Sequence, residues 1–275
     1  MKEVEFYKLQ ASGNDFILVD NLKLKIKNAK LKQLAKDFCR RRLNIGADGL
    51  LVIEPLNKSP AKMRIFNSDG SEAEMCGNGA RCAALWAKLK IKNKKLKIIR
   101  FQTQAGIIES EVKGADVKVK LTAPKDLKCD LPITVLGRKI KINYINTGVP
   151  HVVVFVQDLD NIDVARIGRA IREHKEFSPA GANVNFIEVI NDDFLKIRTY
   201  ERGVEAETLA CGTGAVASAI ISGCKFKPLA GNHNLKVLTK GREVLRVYFS
   251  KKKSKIDQVW LGGKAYLVYK GKIRT

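Results

Sequence analysis

Aromatic side chains are scarce, only 7% of the 275 residues with two tryptophans, and histidine occurs three times. Acidic residues are outnumbered, 28 against 51 lysines and arginines, leaving a formal net charge of +23 that makes nucleic acid the first partner to test. Most of that charge is lysine, in runs at 23–36, 88–97 and 251–255. No aromatic side chain interrupts these runs to stack a base, and no nucleic-acid recognition motif accompanies them, so they read as solvated faces. Long apolar runs are missing too: Val152–Val156 is among the longest. Crossing a bilayer takes about 20 residues, so no membrane role is expected. The opening Met-Lys-Glu-Val-Glu-Phe is strand-like and lacks the plan of a leader peptide.

Cysteine is spread thinly at positions 39, 76, 82, 129, 211 and 224, without any C-x-x-C pair. That usage predicts reduced thiols in a cytoplasmic protein, not a disulfide framework. Cys76 and Cys82, six apart on a helix, would point about 240° apart and could not share an ion, so no metal is expected.

What is present is a 45% hydrophobic chain long enough for two domains. Alternating or β-rich runs predict strands at 4–9, 16–20, 50–53, 62–66, 98–102, 106–112 and 117–122. After Pro124 the pattern resumes at 139–145, 151–156, 184–189, 194–200, 235–238, 244–249, 259–261 and 265–269. Helical spacing appears at 29–42, 80–90, 164–173 and 215–222.

An internal repeat about 135 residues apart organises these elements. In the first half, Asp69-Gly-Ser-Glu-Ala-Glu-Met-Cys76-Gly-Asn-Gly-Ala80 follows a strand and opens a helix. In the second, Arg202-Gly-Val-Glu-Ala-Glu-Thr-Leu-Ala-Cys211-Gly-Thr-Gly-Ala215 does the same. The chain reads as two similar α+β halves, each presenting one cysteine at the start of its central helix. One cysteine in such a turn is ordinarily a small hydrophobe in a core. Two in matched Cys-Gly-x-Gly-Ala settings are not explained by packing, which has no need of flanking glycines. Cys39, Cys82, Cys129 and Cys224 lack that setting and read as structural.

The unpaired N–H groups of a helix N-terminus favour thiolate, which can bring a cysteine pKa down to about 3.5–7.5. The same groups can hold a carboxylate. Inverting a stereocentre by proton transfer needs a base on one face of the carbon and an acid on the other. Two pseudo-symmetric halves facing one cleft would supply them, and two neighbouring thiols tend to hold one shared proton. The residues therefore point to a cofactor-independent amino-acid racemase or epimerase. Gly212-Thr-Gly-Ala-Val-Ala217 also fits the dinucleotide fingerprint G-x-G-x-x-A. However, ten residues separate the strand ending at Tyr200 from Cys211, just before the fingerprint, and position 232, where an acidic residue is wanted, is Asn.

Five stretches resemble the diaminopimelate epimerase family: Lys8-Leu-Gln-Ala-Ser-Gly-Asn14-Asp-Phe16, Asn67 through Arg81, Gly148-Val-Pro-His151, Gly181-Ala-Asn183-Val-Asn-Phe186, and Tyr200-Glu-Arg202-Gly through Gly214. The resemblance spans nearly the whole chain. The related proline racemases typically carry His where this chain has Asn78 and lack Glu201-Arg202-Gly203. Membership implies an α+β fold of two pseudo-symmetric domains, each a curved mixed sheet wrapped around a central helix, with the active site in the interdomain cleft. The last strand would return to the first domain, giving 1–119 plus 264–275 and 120–263.

The resemblance also implies that Cys76 and Cys211 are the catalytic pair, tuned or assisted by His151 and Glu201. Amides of Gly77, Asn78, Gly212 and Thr213 would cradle the reacting carboxylate, and Arg202 would take the distal one. Asn14, Asn67, Asn183 and Glu201 would make the remaining polar contacts. It implies diaminopimelate as substrate in lysine or peptidoglycan precursor synthesis, without pyridoxal phosphate, metal or any other cofactor. A homodimer is the assembly carried forward as an expectation. The alternatives are a racemase of another amino acid and a non-catalytic basic binding protein on the same fold. Three departures touch substrate contacts rather than the cysteines: Val149 where many members have Asn, Gly49 where some carry a polar residue, and one extra residue between Glu201 and Cys211.

Overall fold

The computed structural model describes residues 3–21, 26–55, 60–91, 97–226, 230–252 and 255–274. Parts of all three lysine runs lie outside the described residues. The chain divides into two compact units, Met1–Val119 with Gly263–Thr275, and Lys120–Gly262.

The first unit opens with β1 (Glu3–Ala11) and β2 (Asn14–Asp20), then α1 (Asn28–Phe38), β3 (Gly49–Glu54), β4 (Ala61–Asn67) and the short β5 (Glu72–Ala73). It continues through α2 (Gly77–Lys90), β6 (Ile98–Thr103), β7 (Gly106–Lys113) and β8 (Asp116–Lys120). The second unit runs β9 (Lys125–Val135), β10 (Arg138–Asn146), β11 (Pro150–Phe155), α3 (Val164–Arg172), β12 (Asn183–Asn191), β13 (Phe194–Glu201) and β14 (Ala206–Thr208). It ends with α4 (Gly212–Phe226), β15 (Gly231–Leu238), β16 (Val244–Lys252) and β17 (Lys255–Lys264). The final strand, β18 (Tyr266–Arg274), belongs to the first unit.

Each unit holds one mixed sheet. The first is ordered β18-β1-β2-β3-β4-β6-β7-β8, parallel at β2/β3 and β4/β6 and antiparallel elsewhere, with β5 paired to β4. The second is ordered β9-β10-β11-β12-β13-β15-β16-β17, parallel at β11/β12 and β13/β15, with β14 paired to β13. Strand for strand the orders correspond, and each parallel step encloses a helix because a parallel return needs a crossover. β18 takes in the first unit the place that β9 holds in the second.

α2 is buried without a break from Asn78 to Ala87, and α4 from Gly214 to Gly223. A helix buried all round has no solvent face, so the sheet must wrap it. Accordingly α2 touches β1, β2, β6, β7 and β18, while α4 touches every strand from β10 to β13 together with β15 and β16. Alanines fill both helices because small side chains let strands approach closely. The opposite face of each sheet is closed by an amphipathic helix. α1 packs Leu31, Leu34, Ala35 and Phe38 onto Ile17, Val19, Leu50 and Val52. α3 packs Val164 and Ile171 onto Val152, Val184, Phe186 and Tyr200. Alternation explains how one strand serves both layers: Val152 joins the α3 core and Val153 the α4 core.

Several details depart from the sequence reading. β5, β9 and β14 were not foreseen, and α4 begins at Gly212, ahead of Ala215. α1 ends at Phe38, short of Arg42, because the chain turns there, with Gly46 N donating to Phe38 O at 2.8 Å and Ala47 N to Cys39 O at 3.2 Å. α2 begins at Gly77, ahead of Ala80, because Cys76 caps it.

Candidate active site

In the first unit Cys76 is the N-cap of α2, in extended conformation, and its Sγ accepts from Gly79 N at 3.5 Å. The thiol donates to Asn14 Oδ1 at 3.9 Å. Asn14 is held from its other end: its Nδ2 donates to Asp48 Oδ2 at 2.7 Å. Asp48 is fixed in turn by Arg41 at 2.8 Å, and Arg41 also grips Asp15 at 2.6 Å. Lys8 pairs with Asp15 at 2.6 Å and donates to Gly46 O. Burial is the largest single influence on the Asp15 carboxyl and would raise it, but hydrogen bonds from Arg41 and Lys8 with the charge of Lys8 together outweigh it and hold the group below the usual range. Burial lifts the nearby Cys39 thiol to about 11, which keeps it protonated.

Asn78 is likewise pinned. Its Oδ1 accepts from Arg81 Nη2 at 2.7 Å, and its Nδ2 faces Asn14 Oδ1 at 3.5 Å. Arg81, wholly buried, also donates to Ser12 Oγ at 2.5 Å. The side chains of Asn14 and Asn78, and the thiol, thus meet at the N-terminus of α2. Asn67 stands apart at the exposed end of β4, donating to Ser71 Oγ at 2.9 Å.

In the second unit Cys211 immediately precedes α4, and its carbonyl accepts from Ala215 N at 2.9 Å. Its Sγ lies 3.6 Å from Thr213 Oγ1. Thr213 O accepts from Thr147 Oγ1 at 3.1 Å, which ties the helix start to the β10–β11 turn. The two cysteines therefore have matched backbone settings and different side-chain companions: a carboxamide oxygen at Cys76 and a hydroxyl at Cys211.

Beneath α4 lies a buried polar layer. Asn185 Oδ1 accepts from Thr199 Oγ1 at 3.0 Å, while its Nδ2 donates to Val152 O at 2.9 Å and meets His151 Nδ1 at 3.1 Å. With Asn185 acting as donor, His151 Nδ1 must accept, so the imidazole proton resides on Nε2. That Nε2–H is buried with no hydrogen-bond partner among the described residues. Burial, reinforced by the positive charge of Arg202, pushes the His151 pKa down to about 3, so the ring is neutral. A Cβ added at Gly214 would collide with Asn185 Oδ1. This glycine is thus demanded by packing within the protein, against the expectation that packing has no need of the flanking glycines.

Glu201 ends β13 and Arg202 begins the turn that follows. Arg202 N donates to Asn183 Oδ1 at 2.8 Å, and its Nη1 reaches Ala180 O at 3.3 Å and Gly181 O at 3.4 Å. Asn183 is buried with its Nδ2 toward Pro150 O at 3.5 Å, so it anchors the Arg202 backbone. Glu201 Oε2 accepts from Thr208 Oγ1 at 2.9 Å, and burial raises its pKa despite that bond. Among the described residues no cluster of three or more His, Cys, Asp or Glu could hold a metal ion, and no helix is long and apolar enough to cross a membrane. Ser12, Asp48, Arg81, Thr147, Asn185 and Thr208 support the site but were not singled out by sequence. Ser12, Arg81, Asn185 and Thr208 left a trace, as members of the quoted motifs.

Solved structures share this architecture. A phenazine biosynthesis protein of the PhzF family from Bacillus anthracis aligns over all of both chains with a TM-score of 0.75 at 19% identity. A hydroxyproline epimerase from Agrobacterium vitis aligns over 99% of this chain and 91% of its own at 0.70 and 14%. The protein is therefore of the two-unit α+β class built on sheet-wrapped helices, with a cysteine at the head of each. The family model for diaminopimelate epimerase matches residues 6–126 and 143–265. Proteins called diaminopimelate epimerase are 44% identical in Aquifex aeolicus, over 98% of both chains, and 39% identical in Archaeoglobus fulgidus, over 98% of this chain and 96% of that one. This chain belongs to the diaminopimelate epimerase family.

Proposed function

We propose that the protein is a diaminopimelate epimerase, interconverting the LL and meso forms of 2,6-diaminopimelate by proton transfer at one α-carbon. The observation that carries the reading is the matched pair of helix-heading cysteines in a chain whose nearly full length matches that family. One thiolate removes the α-proton and the other thiol returns a proton to the opposite face. The two exchange roles with the substrate's configuration. Amides of Gly77, Asn78, Gly212 and Thr213 hold the reacting carboxylate and stabilise charge that builds in the carbanion-like transition state.

Asn14 Oδ1 accepts from the Cys76 thiol, Gly79 N–H donates to the same sulfur, and Cys211 Sγ shares a hydrogen bond with Thr213 Oγ1 in which either atom can donate. His151 and Glu201 assist. His151 offers a fixed, neutral Nε2–H, and Glu201 is a carboxyl that burial makes a weaker acid than usual. Arg202, its backbone anchored by Asn183, takes the distal carboxylate, and Asn14 and Asn67 complete the polar contacts. The reaction as written needs no cofactor and belongs to lysine or peptidoglycan precursor synthesis in the cytoplasm, where thiols stay reduced.

The test is α-proton exchange in deuterated water with LL-diaminopimelate. Wild type should incorporate deuterium and form the meso product, and neither Cys76→Ala nor Cys211→Ala should complete inversion. Full epimerisation by either variant removes the two-thiol mechanism. Turnover of another amino acid in preference would move the assignment to a related racemase.

A further inference from the structure

A second pair of cysteines lies at the end of α4 remote from Cys211. Cys224 sits in the last turn of α4, partly buried against the same core cluster that receives Leu127 of β9. Cys129 lies two positions beyond Leu127 on β9, at the register shift between Lys128 and Leu131. The neighbouring residues record the approach of the two elements, because Lys225 Nζ reaches Asp130 Oδ1 at 2.8 Å. The two sulfurs also feel each other. After burial, the Cys224 sulfur is the next influence that raises the Cys129 thiol. Cys129 is exposed and Cys224 half-buried, so one is open to a reagent and the other sits behind it. Neither takes part in the chemistry at the helix heads.

We propose that Cys129 and Cys224 form a redox-sensitive staple that closes to a disulfide and ties the C-terminal turn of α4 to β9. The oxidant is a small-molecule disulfide such as oxidised glutathione. The Cys129 thiolate attacks one of its sulfurs, forming a mixed disulfide and expelling one glutathione thiolate. The Cys224 thiolate then attacks the Cys129 sulfur, forming the intramolecular bond and expelling the second. Two electrons pass from the cysteines to the oxidant, and the two protons given up by the cysteines end on the released glutathiones. Burial raises the Cys129 thiol pKa while Lys225 and Lys251 counter it, so closure is slow at neutral pH and accelerates as pH rises. The staple spans most of the second unit and restricts its unfolded chain. It lies about 20 Å along α4 from Cys211 and leaves that thiol untouched.

The test treats the full-length protein with oxidised glutathione and maps its peptides without reduction. The expected result is a single linked pair carrying Cys129 and Cys224, lighter by two hydrogens, with Tm raised by about 5 °C or more. Cys129→Ser should lose both effects while its reduced form keeps wild-type turnover. Cys224→Ala should stop at one glutathione adduct on Cys129. A persistent adduct on Cys129 in the wild type, a link from Cys129 to a different cysteine, or a linked pair with unchanged Tm would each overturn the proposal.

Discussion

Asn14 shows how a single amide is oriented toward a thiol. A carboxamide is nearly symmetric in shape, so which end faces Cys76 is decided by its hydrogen-bond partners. Asp48 accepts from Nδ2 at 2.7 Å, leaving Oδ1 to face the thiol. Asp48→Ala removes that decision, and kcat/KM should fall about tenfold, equivalent to about 1.4 kcal/mol of transition-state stabilisation. Because the Asp48 side chain is 41% exposed, Tm should change little. A kinetic profile matching wild type would show that Asn14 is oriented by other means. His151 allows a sharper test. Its folded pKa of about 3 lies below the ordinary histidine value near 6.5. Between those values the unfolded chain binds a proton that the folded protein does not. Stability is therefore complete above about pH 6.5 and drains away on acidification, at up to about 1.4 kcal/mol per pH unit. Urea titrations from pH 7 to pH 4 should show this slope in wild type and a shallower one in His151→Gln. Equal slopes would place the acid sensitivity elsewhere.

The central helices are the elements on which both the fold and the site depend. Each carries glycine at its third position, and the structure gives Gly214 a packing reason: Asn185 Oδ1 occupies the space a Cβ would need. At Gly79 the nearest atom would be a flexible leucine tip, Leu51 Cδ2, at 3.0 Å. Gly214→Ala should therefore cost about 1–3 kcal/mol and disturb the His151–Asn185–Thr199 layer, while Gly79→Ala should cost less. Equal loss of Tm in the two variants would refute this ranking. Most elements could be read from sequence because their patterns are strong: the apolar run of β11 and the helical spacing of α1 are direct images of burial. β9 could not. Among the described residues it pairs with β10, it contains Pro132, and left-handed residues at Asp126 and Asp130 break its alternation. The site divides in the same way. Cys76 and Cys211 were visible because the motif repeats, but Asp48 and Ser12 act through partners distant in sequence. Nothing local marks a carboxylate destined to hold Asn14 or a serine destined to meet Arg81.

At the scale of the molecule, the correspondence of the two sheets makes the last strand indispensable to the first unit. β18 fills there the role that β9 fills in the second unit, yet it is made last, after every residue of Lys120–Gly262. It pairs with β1 from Glu3↔Arg274 to Gln10↔Tyr266, and Ala265 N binds Ala115 O at 2.9 Å just before it begins. Tyr269 packs edge-on against Phe6 at 6.0 Å, Ile273 covers the α1 core, and α2 rests partly on β18. Without β18, β1 would become a raw edge, and Val4 and Phe6 would lose part of their cover. The second unit has all its own strands and should not notice. A chain ending at Lys264 should therefore unfold unevenly: hydrogen exchange should show protection lost in β1 and α2 and kept in β12 and α4. Epimerase activity should vanish with the first unit, because Cys76 is held by the start of α2. Uniform loss of protection across both units would mean that they fold as one cooperative body. Full activity in the shortened chain would mean that β1 and α2 hold their places without the strand that completes their sheet.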